Sequence, residues 1–271
     1  MAHDPSYNSK NPFDSQAAIP GVKRIIAVSS GKGGVGKSTV ATNLALALSK
    51  KYQVGLLDAD IYGPSIPRML GALNQKPIVN KNQKIEPVVR YNTKIMSIGF
   101  MVDEQSAVVW RGPMLFKAID QFLRDVAWGE LDYLVIDLPP GTGDIQLSLA
   151  QKVPIWGAIT VTTPQNVALI DVKKAIDMWN RVAVPILGMV ENMAYMINPA
   201  TQERIQLFPK GELDSYLDMK KIKKLVEVPF HPHVSLGSEA GVPIVESQAS
   251  SSEALAFFNL AEQIAILDAK G

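Results

Sequence analysis

The octapeptide Gly31-Lys32-Gly33-Gly34-Val35-Gly36-Lys37-Ser38 decides how this chain is read. It fits the pattern G-x-x-x-x-G-K-[ST], which has physical meaning only between a strand and a helix. Before it, Ile25-Ile26-Ala27-Val28 is a β-branched apolar run that suits a strand. After it, Lys37 to Ser49 places Val40, Leu44, Ala47 and Leu48 on one helical face. The four glycines let backbone N–H groups turn inward around phosphate oxygens, where a side chain would block the approach. The following helix points its positive N-terminal end at the same anion. Lys37 is then expected to neutralise β and γ phosphates, with the Ser38 hydroxyl on Mg²⁺.

Working outward, further apolar runs follow at Val54 to Leu57, Ile95 to Ile98, Leu134 to Ile136, Ala158 to Val161 and Ile186 to Val190. They are apolar nearly throughout, as expected for strands covered on both faces. The spacing leaves room for crossover helices. The expected fold is therefore α/β, a mostly parallel doubly wound sheet flanked by helices. Near the C-terminus, Ser250-Ser251-Ser252-Glu253 offers a capping box ahead of Phe257, Leu260, Ala261, Ile264 and Leu267 at helical spacing. Residues 1–20 are polar, with Pro5, Pro12 and Pro20, and read as a flexible leader that packs weakly. Residues 21–271 read as a single P-loop domain, without an interior linker or repeat.

Two acidic segments complete the expected site. Val54-Gly55-Leu56-Leu57-Asp58-Ala59-Asp60 ends one strand in two carboxylates, and Leu134-Val135-Ile136-Asp137 ends another, followed by Leu138-Pro139-Pro140-Gly141. In an open parallel sheet, ligands sit beyond the carboxyl ends of the strands, where these segments converge with the glycine loop. An aspartate there can hold Mg²⁺, with Ser38, Asp58 and Asp137 as the candidates, and another can orient an attacking water.

Composition narrows the function further. Lys+Arg total 27 against Asp+Glu 26, a formal charge of +1, so no global basic field draws the protein to nucleic acid. No apolar run reaches the roughly 18 to 20 residues that span a bilayer, and a cytoplasmic protein is expected. The last helix sets Glu253, Glu262 and Asp268 against Lys270 and lacks the basic face of a membrane anchor. Neither a nucleic-acid nor a membrane partner is expected. Cysteine is absent from all 271 residues, which removes disulfides, thiol nucleophiles and cysteine-ligated clusters together.

Lys32 within the glycine loop resembles the deviant phosphate loop of the MinD/ParA/nitrogenase-iron-protein ATPases. The longer strings SSGKGGVGKSTVATNLALAL, LLDADIYGPSIPRMLG, VVWRGPM, YLVIDLPPGTGDIQLSLAQ, VTTPQNVALIDVKKAIDM and GMVENM resemble the Mrp/ApbC group, which is described as iron–sulfur cluster carriers. The likeness covers about residues 22 to 265. It implies a homodimer that sandwiches ATP, with Lys32 reaching the partner's phosphates and Gly31 to Thr39 cradling its own. It implies further that Asp60 positions the hydrolytic water, that Asp58 stands beside the metal, and that Asp137 and the Pro140-Gly141-Thr142-Gly143 turn sense the γ phosphate. Asn192 matches the side chain that reads adenine, and Pro229-Phe230 the segment lying against the base.

The departure from that group is equally informative. Its members carry Cys-x-x-Cys shortly after Glu-Asn-Met; here Asn198 and Thr201 stand at those places, and neither offers the soft anionic sulfur a cluster needs. No iron–sulfur cluster is expected on the isolated chain, although an iron–sulfur client or scaffold remains an expected partner. The alternatives weighed are a ParA/MinD-like positioning ATPase and a non-hydrolysing ATP-sensing scaffold. His231-Pro232-His233 reads as a surface loop, Lys220-Lys221 and Lys223-Lys224 as a solvated helix face, and Trp110-Arg111-Gly112-Pro113 as a segment near the implied dimer interface.

Overall fold

The structure is a computed structural model that describes residues 16–61, 63–101, 112–141, 143–165, 167–209 and 211–270. In chain order the elements begin with β1 (Val22–Ser30), α1 (Lys37–Leu48), β2 (Val54–Asp58), α2 (Ile66–Met69), β3 (Ile78–Val79), β4 (Ile85–Glu86), β5 (Val88–Arg90) and β6 (Thr93–Ser97). Next come α3 (Gly112–Arg124), β7 (Leu131–Asp137), α4 (Asp144–Lys152), β8 (Gly157–Thr162), α5 (Val167–Arg181) and β9 (Ile186–Asn192). The chain continues through β10 (Met196–Ile197), β11 (Arg204–Ile205), α6 (Leu213–Lys220), β12 (Lys224–Val228), α7 (Pro232–Glu239), α8 (Ile244–Ser247) and α9 (Ser252–Asp268).

Eight strands form one sheet in the order β12-β9-β8-β1-β7-β2-β6-β5. Its pairings are parallel except that of β5 with β6. The apolar runs explain this arrangement, because each strand must be covered on both faces. Along β1, Ile26 and Val28 pack into one layer with Leu44 of α1 and Phe257, Leu260 and Ile264 of α9. Ile25 and Ala27 pack into the opposite layer with Phe122 of α3, Leu149 of α4 and Trp179 of α5. Each fully buried Leu, Ile or Phe in these layers contributes about 1.5–3 kcal/mol of transfer free energy. The doubly wound α/β sheet expected from the sequence is the observed fold.

The strand order reverses around β1: the chain runs from β1 to β2 on one side, then returns past it to β8 and β9 on the other. Val28 and Asp58 both pair with Asp137, so the ends of β1, β2 and β7 lie at one edge of the sheet. A crevice at such a reversal is where open α/β sheets bind ligands.

Three local expectations are corrected. The described part of the leader is anchored: Ile19 is buried, Ala17 N–H donates to Lys152 O at 3.0 Å, and Arg124 donates to Ala17 O. One apolar side chain and a few main-chain bonds suffice to dock a segment that composition marks as polar. The cap of α9 falls on Ser251, whose Oγ accepts from Ala254 N–H at 3.2 Å. Glu253 is therefore one residue too early to complete a box, and it accepts from Ser252 Oγ instead. The lysine cluster is divided between elements, since α6 ends at Lys220 and Lys221 is left-handed. Lys224 opens β12 with its ammonium among Asp214 at 2.6 Å, Glu191 at 2.7 Å and Glu227 at 2.9 Å.

Candidate functional site

The loop between β1 and α1 needs its glycines for separate reasons. Gly34 and Gly36 have φ of +78° and +82°, a region L side chains avoid. A Cβ on Gly33 or Gly34 would meet no protein atom and would fill the open space ahead of the loop instead. A Cβ on Gly36 would overlap Asn192 Nδ2, and one on Gly31 would overlap the Asp171 carbonyl of α5. Val35 anchors the loop in the core, and its carbonyl accepts from Asn192 Nδ2 at 2.9 Å. Thus the loop is tied to the end of β9 as well as to β1.

Lys37, the first residue of α1, is only 6% exposed. Its ammonium lies 2.7 Å from Asp137 Oδ1, 3.4 Å from Asp60 Oδ2 and 3.3 Å from Ser38 Oγ. A buried lysine of this kind is tolerable because carboxylates compensate it. Asp58 and Asp137 are wholly buried. Burial pushes Asp58 well above the usual carboxylate range and the adjacent Asp137 charge adds to the rise, against the opposing Ser97 hydrogen bond and Lys37 charge. Burial also raises Asp137, with Lys37 opposing.

The two carboxylates differ in how they are satisfied. Asp58 Oδ2 accepts from Ser97 Oγ at 2.9 Å and Ile66 N–H at 3.3 Å, while Oδ1 accepts from Asp60 N–H at 3.2 Å. Asp58 therefore braces the start of α2 and the turn carrying Asp60. Asp137 Oδ2 is buried without a hydrogen-bond partner. An orphaned carboxylate oxygen next to a lysine, a serine hydroxyl and a glycine cradle suits a hard cation escorting phosphate. Among the described residues no three His, Asp or Glu side chains converge as a protein-only metal cage. A Mg²⁺ ion here would depend on Ser38, Asp137, phosphate oxygens and water.

A cleft of about 420 Å³ opens over these groups. The loop lines it through Gly33, Gly34, Gly36, Lys37, Ser38 and Thr39, joined by Asp60 and Pro140. Asn192, Pro229 and Phe230 line it as well, which places the expected base-side residues on the same cavity as the loop. Lys32 is directed elsewhere, its ammonium donating to Gln165 Oε1 at 3.2 Å. Thr142, Trp110 and Arg111 lie outside the described residues.

Some lining residues were not singled out from the sequence. Arg68 and Met69 of α2 and Val234 and Ser238 of α7 face the cleft. His231-Pro232-His233, expected as a surface loop, is corrected: His231 lines the cleft and is the N-cap of α7, its Nδ1 accepting from His233 N–H at 3.2 Å. A residue followed by Pro at the first helical position is a readable helix start, so His231-Pro232 carried that signal. For Arg68 the sequence held none.

The family described as ParA: NUBPL iron-transfer P-loop NTPase matches residues 21–265. The chain belongs to this family. It is 51% identical over 256 residues to an iron–sulfur cluster carrier protein of Aquifex aeolicus, covering 94% of this chain and 70% of the relative. Among solved structures, a nucleotide-binding protein of Archaeoglobus fulgidus in complex with ADP, with cobalt, is 41% identical with a TM-score of 0.74. That likeness covers 88% of this chain and 92% of the other. The septum site-determining protein MinD of Pyrococcus horikoshii, complexed with Mg-ADP, is 25% identical with a TM-score of 0.65, covering 90% and 97%.

The hairpin β10–β11 holds the two positions where the Mrp/ApbC resemblance implies cysteines. Asn198 Oδ1 accepts from Ala200 N–H at 2.9 Å, and Thr201 Oγ1 donates to Glu203 at 3.1 Å. These two side chains, at the places of the expected cysteines, close a polar turn. The donor set does not fit an iron–sulfur cluster. The hairpin is nevertheless joined to the cleft wall, since Tyr195 O accepts from Phe230 N–H at 2.7 Å and Ala194 N–H donates to Val228 O at 3.0 Å.

Proposed function

We propose that this chain is a cytoplasmic, Mg²⁺-dependent ATPase that works as a homodimeric switch in iron–sulfur cluster assembly or transfer, without carrying a cluster itself. The observation that supports this most is the Lys37 ammonium, buried between Asp137 at 2.7 Å and Asp60 at 3.4 Å at the mouth of the glycine cradle. Without a ligand, Lys37 and the carboxylates neutralise one another. A triphosphate would draw Lys37 onto its terminal oxygens and release Asp60 to orient a water for in-line attack. Mg²⁺, held through Ser38 and Asp137, would supply neutralisation of phosphate charge. Asp58 would serve from below by fixing the Asp60 turn, so its place beside the metal is indirect.

Asn192, Pro229 and Phe230 would take the base, and the backbone of residues 31 to 39 the phosphates. Lys32 would leave Gln165 and reach the phosphates bound by a second copy. Relatives named as cluster carriers support the iron–sulfur role, and the absent thiols restrict it to assistance of a client or scaffold that brings its own ligands.

The test is phosphate release and calorimetry on the purified protein with ATP and Mg²⁺, beside Lys37→Ala. Saturable release that is lost with nucleotide binding in the variant is expected. Unchanged nucleotide affinity in Lys37→Ala refutes the site. Anaerobic treatment with iron and sulfide should leave no stoichiometric cluster, and a stable one refutes the restriction to assistance.

A further inference from the structure

Gln146 lies in the first turn of α4 and is 1% exposed. Its Nε2 donates to Pro139 O at 2.9 Å and to Gly141 O at 3.0 Å, so both amide hydrogens go to carbonyls of the turn that follows Asp137. The same turn is held from the opposite side. Gly141 N–H donates to Ser30 O at 2.9 Å, one residue before the glycine loop, and Leu138 N–H donates to Val28 O at 3.0 Å. Gly141 itself has φ of +93°, a conformation that two main-chain bonds and an amide clamp together over-determine. Pro140, between the two clamped carbonyls, lines the cleft with Lys37 and Asp60.

A buried side-chain amide is costly unless its hydrogens are bonded, and simple packing is better served by an apolar residue of similar size. Gln146 is not among the residues that line the cleft. What it does is fix where Pro139 to Gly141 stand relative to Lys37. We infer that Gln146 is a positioning residue for terminal-phosphate recognition: it holds the Pro139–Gly141 turn at the spacing from Lys37 that separates a nucleoside triphosphate from a diphosphate. This rests on the reading of the cleft as an ATP site. Neither neighbouring chemistry substitutes for it. A glutamate has no N–H to give two carbonyls, and a methionine of similar volume has no donor at all.

The experiment compares the parent with Gln146→Glu and Gln146→Met by calorimetry with ADP and with a non-hydrolysable ATP analogue, both with Mg²⁺, and by phosphate release from ATP. In both variants ADP affinity should stay within about threefold of the parent, since the glycine cradle is untouched. The preference for the triphosphate analogue over ADP and kcat should each fall at least about tenfold, with a smaller change in KM, as expected when a group is misplaced without being lost. Thermal unfolding accompanies each variant, and near-isosteric Gln146→Glu serves where Gln146→Met fails to fold. Discrimination and kcat within twofold of the parent overturn the role of Gln146. So does an equal loss of affinity for both nucleotides, which marks a merely structural residue. A parent that binds neither nucleotide overturns the reading of the cleft itself, and is told apart because the parent is measured first.

Discussion

Asp58 of β2 pairs in register with Asp137 of β7, and both carboxylates are wholly buried. Placing two acids on adjacent parallel strands, with one lysine to offset them, makes at least one reluctant to ionise. The protonation of this pair is therefore linked to the stability of the whole fold.

The sign of that linkage follows from the Asp58 carboxyl, raised from 3.8 in the unfolded chain to about 8 in the folded one. Its contribution is fully present below the unfolded value and is lost as pH rises through the interval to the folded one, because there only the unfolded chain ionises. Asp58→Asn removes this titration. Denaturant unfolding at pH 5, 6, 7 and 8 should show a steeper decline in the parent than in the variant; parallel profiles would count against the assignment.

Gly36→Ala places a side chain at φ +82° and against Asn192 Nδ2. The left-handed conformation alone costs about 1–2 kcal/mol, and the overlap adds to it. In an Asn192→Ala background the overlap disappears and only the conformational part remains. A double-mutant cycle by chemical denaturation should yield a coupling of at least about 0.5 kcal/mol. Strict additivity would show that Asn192 does not crowd the loop.

Lys224 lies among Glu191, Asp214 and Glu227, and its side chain is 21% exposed. Burial lowers its affinity for a proton, yet the hydrogen bonds of Asp214, Glu191 and Glu227 outweigh this and hold it above 10.5. Its stabilisation is thus present through neutral pH and is lost as pH rises through that elevated value. Lys224→Met removes the cation that Glu191, Asp214 and Glu227 share, which should cost about 2 kcal/mol at pH 7 once partial exposure is discounted. The deficit should shrink near pH 4 as the carboxylates protonate. A deficit equal at both pH values would point to lost packing instead.

Lys32 donates to Gln165 and is not part of the cleft wall. Lys32→Ala should leave ADP affinity within about threefold while ATP hydrolysis falls at least about a hundredfold, the usual effect of removing a cation that contacts only the transferring phosphoryl group. Equal losses in both would mean that Lys32 serves its own subunit's nucleotide.

The layered sheet and the loop were legible because their signals are local. A glycine octapeptide between a strand and a helix, and apolar runs too continuous for one-sided burial, each carry their own physics. Asp58, Asp60 and Asp137 were legible as strand ends, but not their division of labour, which depends on Ser97 and Ile66, 39 and 8 residues away. Gln146 was invisible for the same reason, since a glutamine in a helix carries no sign of which carbonyls it will meet. Lys224 was misplaced because a lysine-rich stretch looks solvated until three distant carboxylates are folded around it. Short strands such as β3, β4, β10 and β11, two residues each, fall below the length at which periodicity has content.

A main-chain hydrogen bond ties the hairpin to the rim of the cleft. Tyr195, at the root of the polar hairpin, accepts from Phe230, which borders the cleft. The hairpin is therefore fastened to the wall: a shift of the outer arm over residues 196–205 would load the same contact that holds Phe230 at the rim.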